Sequence, residues 1–226
     1  MAGRAKAWIA WSSGKDSAWA LHVAREQGEF DIVGMMTTVT ERYGRVSMHG
    51  VRTELLAAQA SALGLPEHRV HLPAPCPGEA YAELMRKAMA EARAEGVTHV
   101  VFGDLFLEDI RAYRAEQLAQ VGMEAAFPLW GSDTGCLART MIEGGLRATI
   151  TCLDPRRLAR EFAGSEFDQA FLDALPDDVD PCGENGEFHS FAHAGPMFTS
   201  SVPIIVGETV EREGFVFTDV MPEHAT

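Results

Sequence analysis

The sequence predicts an α/β protein, with a parallel sheet that carries helices on both faces and a smaller α+β domain after it. Three observations point there. Over residues 7–127, apolar and β-branched runs alternate with stretches of helical spacing, the pattern of strands joined by crossover helices. The first apolar run passes straight into a helical pattern through Ser12-Ser13-Gly14-Lys15-Asp16-Ser17, a junction rich in small and hydroxyl residues. After Pro128-Leu129-Trp130-Gly131 the rhythm breaks, and short helices give way to paired strand patterns.

Residues 7–11 form the first expected strand and 17–27 the first helix, closed by Gly28. Residues 31–40, with Ile32, Val33, Met35, Met36 and Val39, read as a second buried strand. Over 51–63, Leu55, Leu56, Gln59, Ala60 and Leu63 fall at helical spacing, and Gly64 with Pro66 ends that helix. A short strand at 68–72 leads into a stiff loop marked by Pro73, Pro75 and Pro77, then a helix at 79–95 stopped by Gly96. A strand at 98–103, a helix at 109–121 and a strand at 123–127 complete the alternation. This is a Rossmann-like arrangement, in which ligands sit beyond the carboxyl ends of the strands. The hexapeptide and Gly103-Asp104 would both lie there.

The second part reads as a helix at 134–143, a strand at 146–153, short helices at 158–162 and 167–175, and an acidic loop at 176–185. Strands at 187–193, 202–212 and 215–220 finish the chain, the last two joined by a turn at Glu213-Gly214. The expected domains are 1–130 and 131–226.

Composition bounds the function. At 226 residues and 46% hydrophobic, the chain has an ordinary globular make-up, and no apolar run approaches the ~20 residues of a membrane helix. The apolar stretch near the N-terminus is too short for a signal peptide, so a cytoplasmic protein without membrane contact is expected. Cys76, Cys136, Cys152 and Cys182 are widely spaced and form no CxxC pair, which reads as free thiols. Nineteen Lys+Arg against 33 Asp+Glu give a net charge of −14. A partner of nucleic acid normally needs a basic face, and the one basic cluster, Arg156-Arg157 with Arg160, reads as a solvated helix face. No nucleic acid is expected.

The hexapeptide suits a pyrophosphate. The first N–H groups of a helix lack intrahelical partners and point at the ligand, where the macrodipole adds positive potential. Ser12, Ser13 and Ser17 add hydroxyls, Gly14 permits close approach, and Lys15 adds charge. The spacing is neither GxxxxGK[ST] nor GxGxxG. It resembles the SGGxDS loop of the PP-loop ATP pyrophosphatases, which split ATP between its α and β phosphates. Ser13 stands in place of the glycine at that motif's second position, so a position tolerant of unusual φ carries a Cβ. The alternative is a Ser/Asp helix cap after a buried strand.

Two further clusters carry chemistry. In Asp180-Pro181-Cys182-Gly183-Glu184-Asn185-Gly186-Glu187-Phe188-His189, the side chains of Glu184, Asn185, Glu187 and His189 can coordinate metal, accept protons or bind an amine. The alternative is an acidic hairpin. On a strand Glu187 and His189 would share a face. Asp104 follows a strand at the ligand end, and Arg111 and Arg114 share a helix face near its start. They await either an anion or salt bridges to Asp104, Glu108 or Asp109.

Gly103-Asp104 with Arg111 and Glu116, and GENGEFHSF followed by Gly195-Pro196-Met197-Phe198, together resemble the diphthine–ammonia ligase family, ATP-binding amidoligases that complete diphthamide on elongation factor two. His49, Gln59-Ala60 and Leu63-Gly64 also fit that pattern. The resemblance implies an adenine-nucleotide α-hydrolase (HUP-type) fold, with ATP and Mg2+ as cofactors and release of AMP and pyrophosphate. It places Ser12, Ser13, Gly14, Lys15, Asp16 and Ser17 on the phosphates, with Asp16 and Asp104 toward the metal. Lys15, Asp16, Asp104, Glu187 and His189 are the expected catalytic residues. Arg111, Glu116, Gly183, Glu184, Asn185 and Glu187 are the expected substrate side. The partners implied are ATP, ammonia and a carboxylate substrate such as diphthine on elongation factor two, with a homodimer left open.

The chemistry such a site must do is to activate an inert carboxylate. Attack on the α-phosphate gives an acyl-adenylate, from which ammonia displaces AMP. Glu187 or His189 is the expected base for ammonium. Two other readings compete: a PP-loop enzyme that transfers sulfur to tRNA, and a non-catalytic ATP-binding sensor. The first should bring a basic surface and paired cysteines. The second has no use for the Glu/Asn/His cluster.

Overall fold

The computed structural model describes residues 3–223, so the outermost ends of both expected domains, 1–2 and 224–226, lie outside the described residues. Strand β1 (Ala5–Ala10) leads into α1 (Lys15–Gln27) and β2 (Phe30–Thr40). A two-residue strand, β3 (Arg45–Val46), precedes α2 (Thr53–Leu63), β4 (Glu67–Leu72), α3 (Gly78–Ala94) and β5 (His99–Val101). Then come α4 (Glu108–Ala119) and β6 (Glu124–Ala126). The parallel strands run in the order β4-β2-β1-β5-β6, with β3 paired antiparallel to the end of β2. The chain builds outward from β1 through β2 to β4, then returns to the other side of β1 for β5. That reversal opens a crevice between the carboxyl ends of β1 and β5.

Alternation along β1 divides the core. Ala7, Ile9 and Trp11 face one cluster with Ala18, Leu21 and Ala24 of α1 and Leu55, Leu56 and Leu63 of α2. Trp8 faces the other with Val100, Met89 and Ala92 of α3 and Leu118 of α4. Helices therefore cover both faces, as the periodicity predicts. Each of the buried Leu, Ile, Val and Met side chains contributes roughly 1.5–3 kcal/mol.

The second sheet is antiparallel throughout, in the order β8-β7-β10-β9. It comprises β7 (Arg147–Leu153), β8 (Phe188–Ala194), β9 (Ile204–Arg212) and β10 (Phe215–Pro222), with α5 (Thr134–Glu143) before it and α6 (Gln169–Ala174) within it. Its inward side chains Ile150, Phe188, Phe191 and Val216 join the same core cluster as α1 and α2. Asp219 of β10 is clamped by Arg45 Nη1 at 2.8 Å and Arg52 Nη2 at 2.6 Å, tying the two sheets together at the surface.

The structure corrects the expected elements in a few places. Helix α1 starts at Lys15 rather than 17, because Gly14 is the extended N-cap (φ −89°, ψ 172°), which puts Lys15 and Asp16 in the first turn. The short helix expected at 158–162 is a 3-10 turn, Arg160–Phe162. The strand β3 falls in what reads as loop. The basic cluster is solvent-exposed as expected, but on a turn and a 3-10 turn rather than a helix, with Arg156 beside Asp154, Arg157 beside Glu187 and Arg160 beside Glu211.

Candidate active site

The N-terminus of α1 opens into the crevice beyond β1 and β5. The backbone of Gly103, at the end of β5, comes so close to this first turn that a Cβ there would lie 2.8 Å from the Asp16 carbonyl. No side chain at the N-cap covers the helix end. Ser12 Oγ and Ser17 Oγ lie 3.2 Å apart beside it, the Gly14 N–H donates to Ser12 Oγ at 3.3 Å, and Ser17 Oγ donates to the Gly14 carbonyl at 2.9 Å. Hydroxyls and backbone N–H groups thus converge on the positive end of a helix, the composition of an anion site.

Ser13 explains the motif's glycine. Its φ is +71°, the left-handed region that a side chain enters at a cost, and it is wholly buried with Oγ lacking a hydrogen-bond partner. Its carbonyl accepts from Ala192 N at 2.8 Å and from Gln59 Nε2 at 3.1 Å. Lys15 N donates to Ser190 Oγ at 3.2 Å, and His49 Nδ1 meets Ser190 O at 3.0 Å. Strand β8 of the second sheet therefore forms one wall of the hexapeptide loop. Sequence spacing carries no sign of this, since the partners lie more than 100 residues apart.

Lys15 does not reach outward. Its side chain is 2% exposed, and Nζ donates to both Asp16 oxygens, at 3.0 and 2.9 Å, and to the Cys182 carbonyl. It also lies over the rings of Phe188 at 5.2 Å and Phe167 at 5.5 Å. Burial pulls its pKa down, but the Asp16 carboxylate and neighbouring negative groups more than reverse this, so the ammonium stays charged.

The acids gather around that ammonium. Asp104 is held by Arg114, with Nε 2.9 Å from Oδ2, and burial still raises its pKa despite the guanidinium. Of the two alternatives for the arginines, Arg114 takes the salt bridge. Glu184 reaches across from the second sheet's loop and accepts the Leu105 N–H at 2.7 Å through Oε1. Its carboxyl is pushed up to about 7 by burial, reinforced by the charges of Asp16 and Asp104.

The remaining expected residues spread out. Glu187 is fully buried ahead of β8. Its Oε1 accepts from Asn185 Nδ2 at 3.0 Å and from Arg157 Nη2 and Asp180 N at 3.3 Å each, while Oε2 has no partner. Gly183 sits at the loop's turn with φ +69°, its backbone pressed against Phe188. His189 packs against His49 with ring centroids 4.8 Å apart, and burial, aided by His49 and Lys15, drives its pKa down to about 3. Both imidazoles are neutral near pH 7. Arg111 stacks on Trp130 at 4.5 Å, and Glu116 is exposed on α4.

Among the described residues no three metal-ligating side chains converge as a ready-made cage. Mg2+ does not need one, because it binds through one or two carboxylates together with nucleotide phosphates and water. Asp16 and Asp104, hard oxygen donors at the helix end, fit that demand. On the far side of the 47–50 loop, a groove of about 530 Å3 is lined by Thr40, Ser47, Met48, Leu72, Cys152 and Phe217, among others. That is room for a ligand of small-molecule size.

All four cysteines are free, and among the described residues no helix is long and apolar enough to cross a membrane. Residues 5–125 match the family described as the diphthamide synthase N-terminal domain, and 133–220 match the diphthamide synthase C-terminal domain. A curated relative from Danio rerio, named diphthine–ammonia ligase, is 28% identical over 183 residues, covering 71% of this chain and 69% of that protein. With both matches spanning most of its length, the chain belongs to the diphthamide synthase family.

Proposed function

We propose that this chain is an ATP-dependent amidoligase that activates a carboxylate as its adenylate and transfers ammonia to it, releasing AMP and pyrophosphate. One observation carries the reading: the acid-rich loop of the second sheet is bonded directly both to the hexapeptide, through Lys15 to the Cys182 carbonyl, and to the loop after β5, through Leu105 N–H to Glu184. An anion site and a proton-handling carboxyl thereby face one crevice. The family and the relative's name support a ligase, and the relative's substrate suggests a diphthine-like carboxylate borne by a protein.

In this reading the N–H groups of the first turn, with Ser12 and Ser17, hold the phosphates of ATP. Asp16 and Asp104 would hold Mg2+, which would neutralise charge as pyrophosphate departs. Lys15 keeps Asp16 aimed at the crevice by bonding both of its oxygens. Glu184, raised to about 7, takes a proton from ammonium at Oε2 while Leu105 N–H fixes Oε1, a role worth roughly 10²–10⁴-fold. Glu187 shapes the loop through Arg157, Asn185 and Asp180. His189, neutral, orients the acceptor. Cys152 and Cys182 are poor candidates for sulfur transfer, since burial raises the Cys152 thiol to about 12 and the Cys182 thiol also upward. The substrate, the Mg2+ requirement and a cytoplasmic location belong to the same proposal.

The test is ATP labelled at the α-phosphate, incubated with ammonium and a diphthine-bearing protein. AMP and amide formed together, and lost in Glu184→Gln with ATP binding intact, support the reading. ATP held without turnover under every acceptor would overturn it.

A further inference from the structure

Gln59 lies in the middle of α2, 0% exposed, and uses both ends of its amide. Oε1 accepts the Trp11 indole N–H at 2.9 Å, and Nε2 donates to Ser13 O at 3.1 Å and to Ala192 O at 2.7 Å. An indole N–H can only donate, so Trp11 settles which end of the amide is oxygen and leaves the NH2 facing the two carbonyls.

The Ser13 carbonyl takes a second donor, Ala192 N–H at 2.8 Å, and is drawn into the protein. The Ser13–Gly14 peptide is trans, so its N–H points the opposite way, toward Ser12 Oγ and the open end of α1. Were this peptide to flip, a carbonyl oxygen would stand where an anion needs an N–H. Such a flip turns ψ of Ser13 and φ of Gly14, and Gly14 (φ −89°), having no Cβ, accepts either sign of φ, so only the hold on the Ser13 carbonyl keeps the peptide in place.

We infer that Gln59 is a positioning residue that locks the Ser13–Gly14 peptide in the orientation that binds phosphate. The inference rests on the nucleotide reading above and deepens it. Gln59 touches no phosphate. It acts through the Ser13 carbonyl, so that the phosphate loop takes its shape from α2 and β8 as well as from its own sequence. If release left the peptide in the binding orientation about a tenth of the time, apparent affinity would fall about tenfold.

The test compares Gln59→Met, similar in length but without donors, and Gln59→Glu, which keeps the acceptor for Trp11 but has no NH2. Calorimetry measures Mg-ATP and inorganic pyrophosphate binding, and the Gly14 amide resonance reports the peptide itself. Wild type should bind both, with the Gly14 resonance shifting on addition. Both variants should bind each about tenfold more weakly, with the Gly14 resonance displaced before any ligand is added. Should Gln59→Met fail to fold, Gln59→Glu and Trp11→Phe carry the comparison, the latter freeing the amide to rotate and giving a smaller loss. Variants that lose stability but keep wild-type affinity would overturn the lock and leave the nucleotide reading standing. Wild type that binds neither ATP nor pyrophosphate would overturn both.

Discussion

Replacing Ser13 by glycine should make this protein more stable, against the usual direction for a change inside a buried loop. At φ +71° the serine Cβ costs roughly 1–2 kcal/mol relative to glycine. Its hydroxyl, buried without a partner, adds a desolvation penalty of roughly 1–3 kcal/mol. Against these stand the extra freedom of glycine in the unfolded chain, roughly 0.5–1 kcal/mol, and the small void left by one hydroxymethyl group. The net expectation is a gain of about 1–3 kcal/mol, equivalent to a rise in Tm of roughly 2–10 °C for a chain of this size. Urea and thermal unfolding of Ser13→Gly measure it directly, with pyrophosphate binding as the companion assay. The expected pair is a higher Tm with binding retained. A lower Tm would refute the reasoning, and a simultaneous loss of pyrophosphate affinity would assign the hydroxyl to the ligand.

Asp219→Asn should destabilise the protein by about 1–2 kcal/mol near neutral pH by loosening the Arg45 and Arg52 clamp. Burial alone would raise this carboxyl, but the two guanidinium groups hold it down at about 2, so its contribution is complete above the ordinary carboxylate range near ~4 and is lost as pH falls toward 2. Acid titrations of wild type and variant should therefore converge over that window, and a constant gap would contradict the assignment. Glu187→Ala should cost about 1–3 kcal/mol in urea unfolding, because it removes the acceptor of the Asp180 N–H while Arg157 and Asn185 can turn to water, whereas Glu184→Gln should leave the midpoint nearly unchanged and remove amide formation. A stable but inactive Glu187→Ala would move the proton-handling role back to Glu187. Asp16→Ala should abolish AMP formation and also lower stability, because the buried Lys15 ammonium loses its carboxylate, and AMP formed at the wild-type rate would remove Asp16 from the site.

The parallel sheet was legible because its strands are buried on both faces and its helices end at glycines, as at Gly28 and Gly64, so periodicity and punctuation agree. Strand β3 was not, since two residues in a polar hairpin carry no period. The hexapeptide announced an anion site, yet Lys15 turned inward: charge and position were readable, but not that Cys182 O, Phe167 and Phe188 would enclose its ammonium. Arg114 beside Asp104 was one of two open alternatives, and only three-dimensional proximity chose between them. The hold of Gln59 on Ser13 and Ala192 was illegible for the same reason. It joins residues 46 and 133 positions apart, beyond any local pattern. Glu187 and His189 were expected to share a strand face, but Glu187 lies just before β8, so that relation does not apply.

In the proposed reaction a carboxylate oxygen attacks the α-phosphate of ATP in the crevice between Ser12, Asp104 and Glu184. Diphthine carrying 18O in its carboxylate tests it most directly, with AMP and pyrophosphate analysed by mass spectrometry after turnover with ammonium. The expected result is one 18O in the AMP and none in the pyrophosphate. Label appearing in inorganic phosphate, with ADP as the nucleotide product, would contradict it.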